Sequence, residues 1–195
     1  MSSDLLNKYA KNLEFRSWIP IEFNENSSGR FEVWDQQSQR WEMTYDSIDI
    51  SGHQDQRAMF AFLNSLRNGV NFFDWELPLH SDPVGTAGIN PLVNPVASGS
   101  YTVSVIVSNP NDDFLYPGDI IRFSNHNKVY QVNRMIGNVV TLNTPLQKPL
   151  KGDEQMITRN VTVRTMLKPG TEPVIYNREA GDLDASFSAE FVEKL

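Results

Sequence analysis

Residues 41–78, WEMTYDSIDISGHQDQRAMFAFLNSLRNGVNFFDWELP, decide how this chain folds. Trp41, Met43 and Tyr45 alternate with Glu42, Thr44 and Asp46, the period-two pattern of a strand with one covered face. Ile48 and Ile50 fall on the opposite parity. Either both faces are partly covered, as by a neighbouring subunit, or a bulge near Asp46 and Ser47 resets the phase. The period then changes. Met59, Phe62, Leu63 and Leu66 follow the i, i+3, i+4, i+7 spacing of one buried helix face. Ser51 stands three residues before Gln54, the capping-box spacing, and Asp55 suits the positive end of the helix dipole. Arg67 lies in the last turn and Gly69 is placed to end it. A helix of about 15 residues, roughly 22 Å long, covers one face of a small sheet. Phe60 lies off the main stripe and marks a second contact surface, and residues 70–77 read as an aromatic-rich strand.

Upstream, Phe15, Trp18, Ile19, Ile21 and Phe23 surround Pro20, and Phe31, Val33 and Trp34 follow a polar turn at 24–29. These predict two strands, with Pro20 placing the first at an edge or bulge because it cannot donate to a ladder. Downstream, 79–95 (LHSDPVGTAGINPLVNP) is rich in Pro, Gly and Asn and reads as a crossing linker. Four short strands are predicted at 100–107, 119–124, 128–133 and 139–143, separated by turn residues at 125–127 and 137–138. Such spacing predicts a small barrel or sandwich. Pro145, Pro149 and Gly152 mark the exit, and 161–167 and 185–192 read as strands returning to the first sheet. The expected plan is mainly β: a discontinuous domain over 1–82 and 158–195 with one α-helix, and a small β-barrel inserted at 83–157.

Composition narrows the function. With 39% hydrophobic and 11% aromatic residues the chain can build cores, and it has no cysteine, hence no disulfide, thiolate nucleophile or Cys-type zinc site. Folding in a reducing cytoplasm is the simple reading. No apolar run approaches the ~18 residues of a membrane span. The opening MSSDLLNKYAKNLEF lacks the basic–apolar–small order of a signal peptide. The net charge of −7 is concentrated in residues 1–95, which hold 7 Lys and Arg against 13 Asp and Glu, while 96–157 are balanced at 5 against 5. No segment carries the basic excess that drives non-specific nucleic-acid binding.

The candidate chemistry is sparse. His53, His80 and His126 are far apart and show no HxH or HExxH spacing. Asp112, Asp113 and Asp119 could form a calcium loop, but the EF-hand register and terminal Glu are absent, and Asn-Asp-Asp before Pro-Gly is turn chemistry. GxSxG, Walker and GxGxxG motifs are missing. No catalytic, cofactor-binding or metal-binding residue is expected, and no enzyme. Trp18, Trp34, Trp41 and Trp75 all lie in the first expected domain, where core or subunit interface is favoured over a sugar-stacking row. Tyr101, Tyr116, Phe123 and Tyr130 could form a stacking platform in the insert, though without an electrostatic track for nucleic acid.

Taken in order, the strand–helix–strand YDSIDISGHQDQRAMFAFLNSLRNGVNFFDWELP, the insert segments PGDIIRFSNHNKVYQVN and GNVVTLNTPL and the closing FSAEFVEKL resemble the distal tail proteins of long-tailed bacteriophages. The resemblance is to the form with an oligonucleotide/oligosaccharide-binding (OB-like) barrel inserted in a tail-tube-like domain, and it spans nearly the whole chain. It implies a virion protein made in the host cytoplasm, self-assembled as a ring, usually a hexamer, around the DNA channel. The ring joins the tail tube protein to the hub and tip proteins, with no cofactor, no catalysis, no membrane and DNA only as passing cargo. The acidic first domain would then suit a channel that DNA slides through. The alternative is a carbohydrate- or receptor-binding module of the tail tip, working through insert aromatics such as Tyr116 or Tyr130.

Overall fold

The computed structural model of the chain describes residues 3–25, 31–35, 38–107, 113–171 and 184–195. The protein is mainly β. In chain order its elements begin with α1 (Asp4–Tyr9), β1 (Ala10–Trp18), β2 (Ile21–Glu25), β3 (Phe31–Asp35), β4 (Arg40–Ser47) and α2 (His53–Ser65). After a 3-10 turn at Arg67–Gly69 come β5 (Phe72–Glu76), β6 (Leu92–Val93), β7 (Thr102–Ile106) and β8 (Ile120–Phe123). β9 (Val129–Ile136), β10 (Val139–Leu142), β11 (Met156–Ile157), β12 (Thr162–Leu167) and β13 (Ser188–Glu193) complete the order. The chain divides into two compact units. The first is Met1–Arg16, Trp41–Leu79 and Thr162–Leu195; the second is Ser17–Arg40 and His80–Val161. The span 83–157 expected for the insert falls within the second unit, which also takes Ser17–Arg40.

The first unit is a five-stranded sheet in the order β1-β4-β13-β12-β5. Its pairs β4–β13, β13–β12 and β12–β5 are antiparallel. The side chains on one face pack with α2: Phe62 meets Phe73 edge-on, Tyr45 meets Trp75, and Phe191 packs edge-on against both Phe73 and Trp75. Met59, Phe62, Leu63 and Leu66 are all buried, as the helical stripe predicts. The helix start differs from the expectation. Gly52, not Ser51, is the N-cap, and no side chain caps it. The Gly52 carbonyl accepts the Gln56 N–H, and Gln56 is buried with its amide donating to the Ile50 carbonyl. The core drew the polar side chain inward, where it secures the entry to the helix.

The phase change after Tyr45 is a bulge. Asp46 pairs with Ser188, but Ile50 bridges Ala185, so three steps on one strand oppose two on the other beyond Ser47. Ile50 is thereby turned into the core and Ile48 outward. Pro20 sits in no bulge: it lies in the break between β1 and β2, within the second unit, which the chain enters at Ser17. α1 had no signal in the 3.6-residue pattern. It is short, and its one buried residue is Leu6.

The second unit carries a six-stranded sheet in the order β11-β8-β9-β10-β7-β6 and the separate β2–β3 hairpin. The six strands nearly close. Leu92 on β6 bridges Gln155 beside β11, the Val93 N–H donates to the Glu154 carbonyl at 3.2 Å, and the Met156 N–H donates to the Pro91 carbonyl at 2.8 Å. Val103, Val105, Phe123, Tyr130, Val140 and Leu142 fill the interior. Between β10 and β9 the register moves from Thr141↔Arg134 to Leu142↔Val132, leaving Asn133 as the extra residue that bends the longest barrel strand.

Candidate functional site

Two open clefts lie on the first unit. β5 ends the sheet, and its position follows from the turn before it. Gly69 has φ +90, and a Cβ there would stand 2.6 Å from the Leu167 carbonyl oxygen, so only glycine lets the helix end pass so close to β12. The Asn71 N–H then donates to the Leu66 carbonyl and its side-chain amide to the Ser65 carbonyl at 2.6 Å, which aims the chain into β5. Between the end of α2 and the start of β5 lies a groove of about 350 Å³ lined by Phe62, Ser65, Leu66, Asn71, Phe72 and Phe73. Beside it Phe60 is 47% exposed, Val70 66% and Phe72 47%. The off-stripe position of Phe60 is therefore an exposed one. β1 ends the sheet on the other side, and among the described residues no strand pairs with the outer edge of either β1 or β5.

The sheet face away from α2 is charged but largely self-neutralised. Glu42, only 4% exposed, receives Arg16 at 3.0 Å and Lys168 at 3.5 Å, and Lys168 also reaches Glu190 at 3.0 Å. Arg164 pairs with its cross-strand neighbour Asp74 at 3.1 Å. The Arg164 guanidinium and the Lys194 ammonium each stand 4.7 Å from the Phe72 ring centroid. A second cleft, of about 460 Å³, opens where β1 begins and β4 ends, with Lys11, Asn12, Asp46, Asp49, Ser186 and Ser188 on its walls. At the start of α2, Asp55 accepts from Lys8 at 3.0 Å and from the Tyr9 hydroxyl, and these bonds hold its carboxyl below its ordinary range.

In the second unit the polar groups point inward. The Asp119 carboxylate accepts the N–H groups of Val84 (2.8 Å), Gly85 (3.4 Å) and Tyr116 (2.8 Å), so it binds the linker to the barrel. The Asp113 side chain accepts the Tyr116 hydroxyl, and Asp112 lies outside the described residues. His53 and His80 are exposed and His126 is buried, and no group of three potential ligands stands together among the described residues. The four insert aromatics do not share one surface. Phe123 and Tyr130 are core residues, leaving Tyr101 and Tyr116 at the surface. Of the tryptophans, Trp41 and Trp75 are buried, Trp41 stacked on Phe15, while Trp18 is half-exposed beneath the Arg40 guanidinium. The Trp34 side chain lies outside the described residues.

One cluster carried no sequence signal beyond isolated polar residues. His126 Nε2 lies 2.8 Å from the Tyr130 hydroxyl, and Nδ1 lies 2.5 Å from Asn125 Oδ1. Burial, chiefly, with Lys148, Lys128 and Arg122 close by, lowers the His126 pKa to about 4. Lys128, buried as well, donates to Gln39 Oε1 at 2.6 Å. Family models searched against the chain give no match, and a search of curated proteins finds none either. What the chain does must be read from its own residues.

Proposed function

We propose that this chain is a structural subunit of the tail tip of a long-tailed bacteriophage. Copies of it close into a ring, a homohexamer in the resembled family, that surrounds the DNA channel and joins the tail tube protein to the hub and tip proteins. The observation that carries this reading is the first unit's sheet, open at two unlike edges among the described residues, with the exposed Phe60, Val70 and Phe72 and a groove of mixed lining beside one of them. An open sheet edge is a template for another chain unless it is covered. Two different edges associate head to tail, and a head-to-tail contact closes into a ring when its rotation allows. The order of elements supports the same reading, as does the pairing of Arg16, Arg164 and Lys168 with carboxylates, which leaves a passing phosphate backbone little free positive charge.

Native mass measurement and negative-stain imaging, alone and with the tail tube protein, test the reading. A closed ring of several copies is expected. Val70→Glu, which places a charge on the exposed rim of the groove, should shift the population toward monomer while leaving the fold intact. A strict monomer at high concentration, unchanged by tail tube protein, would sink the proposal.

A further inference from the structure

The cluster around His126 joins two separate segments of the second unit. The Gln147 backbone N–H can only donate, and it donates to the Tyr130 hydroxyl oxygen at 2.9 Å. At the other end the Pro149 carbonyl can only accept. It takes the Asn125 side-chain amide at 3.1 Å, and Glu154 Oε1 takes the same amide at 3.2 Å. Asn125 Oδ1 is thereby left as the acceptor for His126 Nδ1–H, and in the neutral ring Nε2 accepts the Tyr130 hydroxyl. The ring also stacks on Phe123 and meets Tyr130 edge-on, so it closes one end of the aromatic core.

We propose that His126 is an acid-released clasp: neutral, it pins the turn between β8 and β9 to the segment 147–154, and protonated it leaves its site so that the two part. A second proton on the ring would turn Nε2 from acceptor to donor against the Tyr130 hydroxyl. That hydroxyl would have to find another acceptor in a buried site. The charges facing the ring make this worse. Arg122 on β8, Lys128 at the head of β9 and Lys148 in the segment itself are all cationic, and Glu154 is the one opposing carboxylate. Glu154 is already engaged: burial works to raise its pKa, but the N–H groups of Lys151 and Gly152 outweigh this and hold it low. Leu146 and Leu150 remain tied to residues 96–100 by backbone bonds, so the opening is local. This inference does not depend on the ring assignment.

The test is nuclear magnetic resonance on the full chain, following the His126 ring and the protection factors of backbone amides from neutral pH down to about pH 4. As the ring gains its proton, protection at the Gln147 amide should fall by about tenfold or more, while amides of β12 and β13 keep theirs. His126→Gln keeps one donor and one acceptor but cannot titrate, so its Gln147 protection should stay level with pH. Lys148→Gln, at an exposed position, removes one cation and should move both the ring titration and the amide change to higher pH. The proposal is overturned if the amide change persists in His126→Gln or if it accompanies loss of protection in β12 and β13. A ring that titrates with no amide change, or a Lys148→Gln profile identical to the parent, would overturn it too.

Discussion

The two units use opposite solutions to the same problem. Both are sheets of five or six strands, and every sheet must cover a face and deal with its edges. The first unit covers one face with α2 and leaves β1 and β5 as edges. The second rolls up, so that β6 and β11 meet and the interior is filled by its own side chains. The difference appears in the buried polar groups. Carboxylates and a histidine inside the second unit satisfy its own loops, while on the charged face of the first unit carboxylates form ion pairs across strands. An open sheet with apolar residues beside an edge is suited to assembly.

If the units are as separate as this contrast implies, damage to one core should leave the other folded. Trp75 is fully buried, donates its indole N–H to Asn7 Oδ1 at 2.8 Å and packs against Tyr45, Phe73 and Phe191. Trp75→Ala should cost the first unit about 4 kcal/mol. Amide exchange should then report lost protection in β12 and β13 with the barrel strands unchanged. Loss in both units would break the comparison.

Acid should act in the opposite sense, on the barrel. An unfolded His126 takes a proton near the ordinary value of 6.5, but the folded one does so only near 4. Between these values the unfolded chain binds more protons, so barrel stability is fully present above about pH 6.5 and declines as pH falls toward 4. The loss reaches up to about 3 kcal/mol, at roughly 1.4 kcal/mol per pKa unit, and is smaller to the extent that the clasp opens locally. Urea unfolding of the barrel strands at neutral and acid pH measures it, and His126→Gln should flatten the slope.

Asp119→Ala tests how the barrel holds its linker. It strips the acceptor from the Val84, Gly85 and Tyr116 N–H groups and should cost about 2 kcal/mol, confined to the second unit in chemical denaturation followed by amide exchange. The smallest effect expected has the other sign. The Tyr45 hydroxyl is buried in the first unit with no hydrogen-bond partner among the described residues, and burial, aided by the charge of Asp46, pushes its pKa upward. Tyr45→Phe should therefore be neutral or stabilising by up to about 1 kcal/mol, read as a rise in the melting temperature. A clear loss of stability would mean that the hydroxyl has a partner, such as a buried water.

Much of this was legible in local pattern. The stripe Met59, Phe62, Leu63, Leu66 gives α2 its buried face, and the parity change at Ile48 and Ile50 leaves two readings, of which the register takes the bulge. Tyr101, Val103, Val105 and Val107 indicate a barrel strand. Such signals survive because a helix or strand face must be apolar at its own period, whatever lies opposite. The exposed surface beside β5 was half legible: Phe60 stands out from its stripe, but nothing local shows that β5 ends the sheet. The histidine cluster was not legible at all.

The sequence by itself thus determined a mainly β chain with one substantial amphipathic helix and an interrupted first sheet. Tertiary structure decided the rest. Two two-residue strands, β6 and β11, bring the barrel's ends together through backbone bonds between residues some 60 positions apart, and backbone bonds leave no mark on residue type. Gln56 rather than Ser51 secures the helix start, and Pro20 divides β1 from β2 instead of bending one strand. Glu42 is buried because Arg16 and Lys168, distant in sequence, converge on it. His126 favours the neutral form because burial, with Lys148, Lys128 and Arg122 close by, disfavours its charge, and the Pro149 carbonyl, through Asn125, fixes its Nδ1 as a donor. In each case the deciding partner lies far along the chain, so only the folded geometry can supply it.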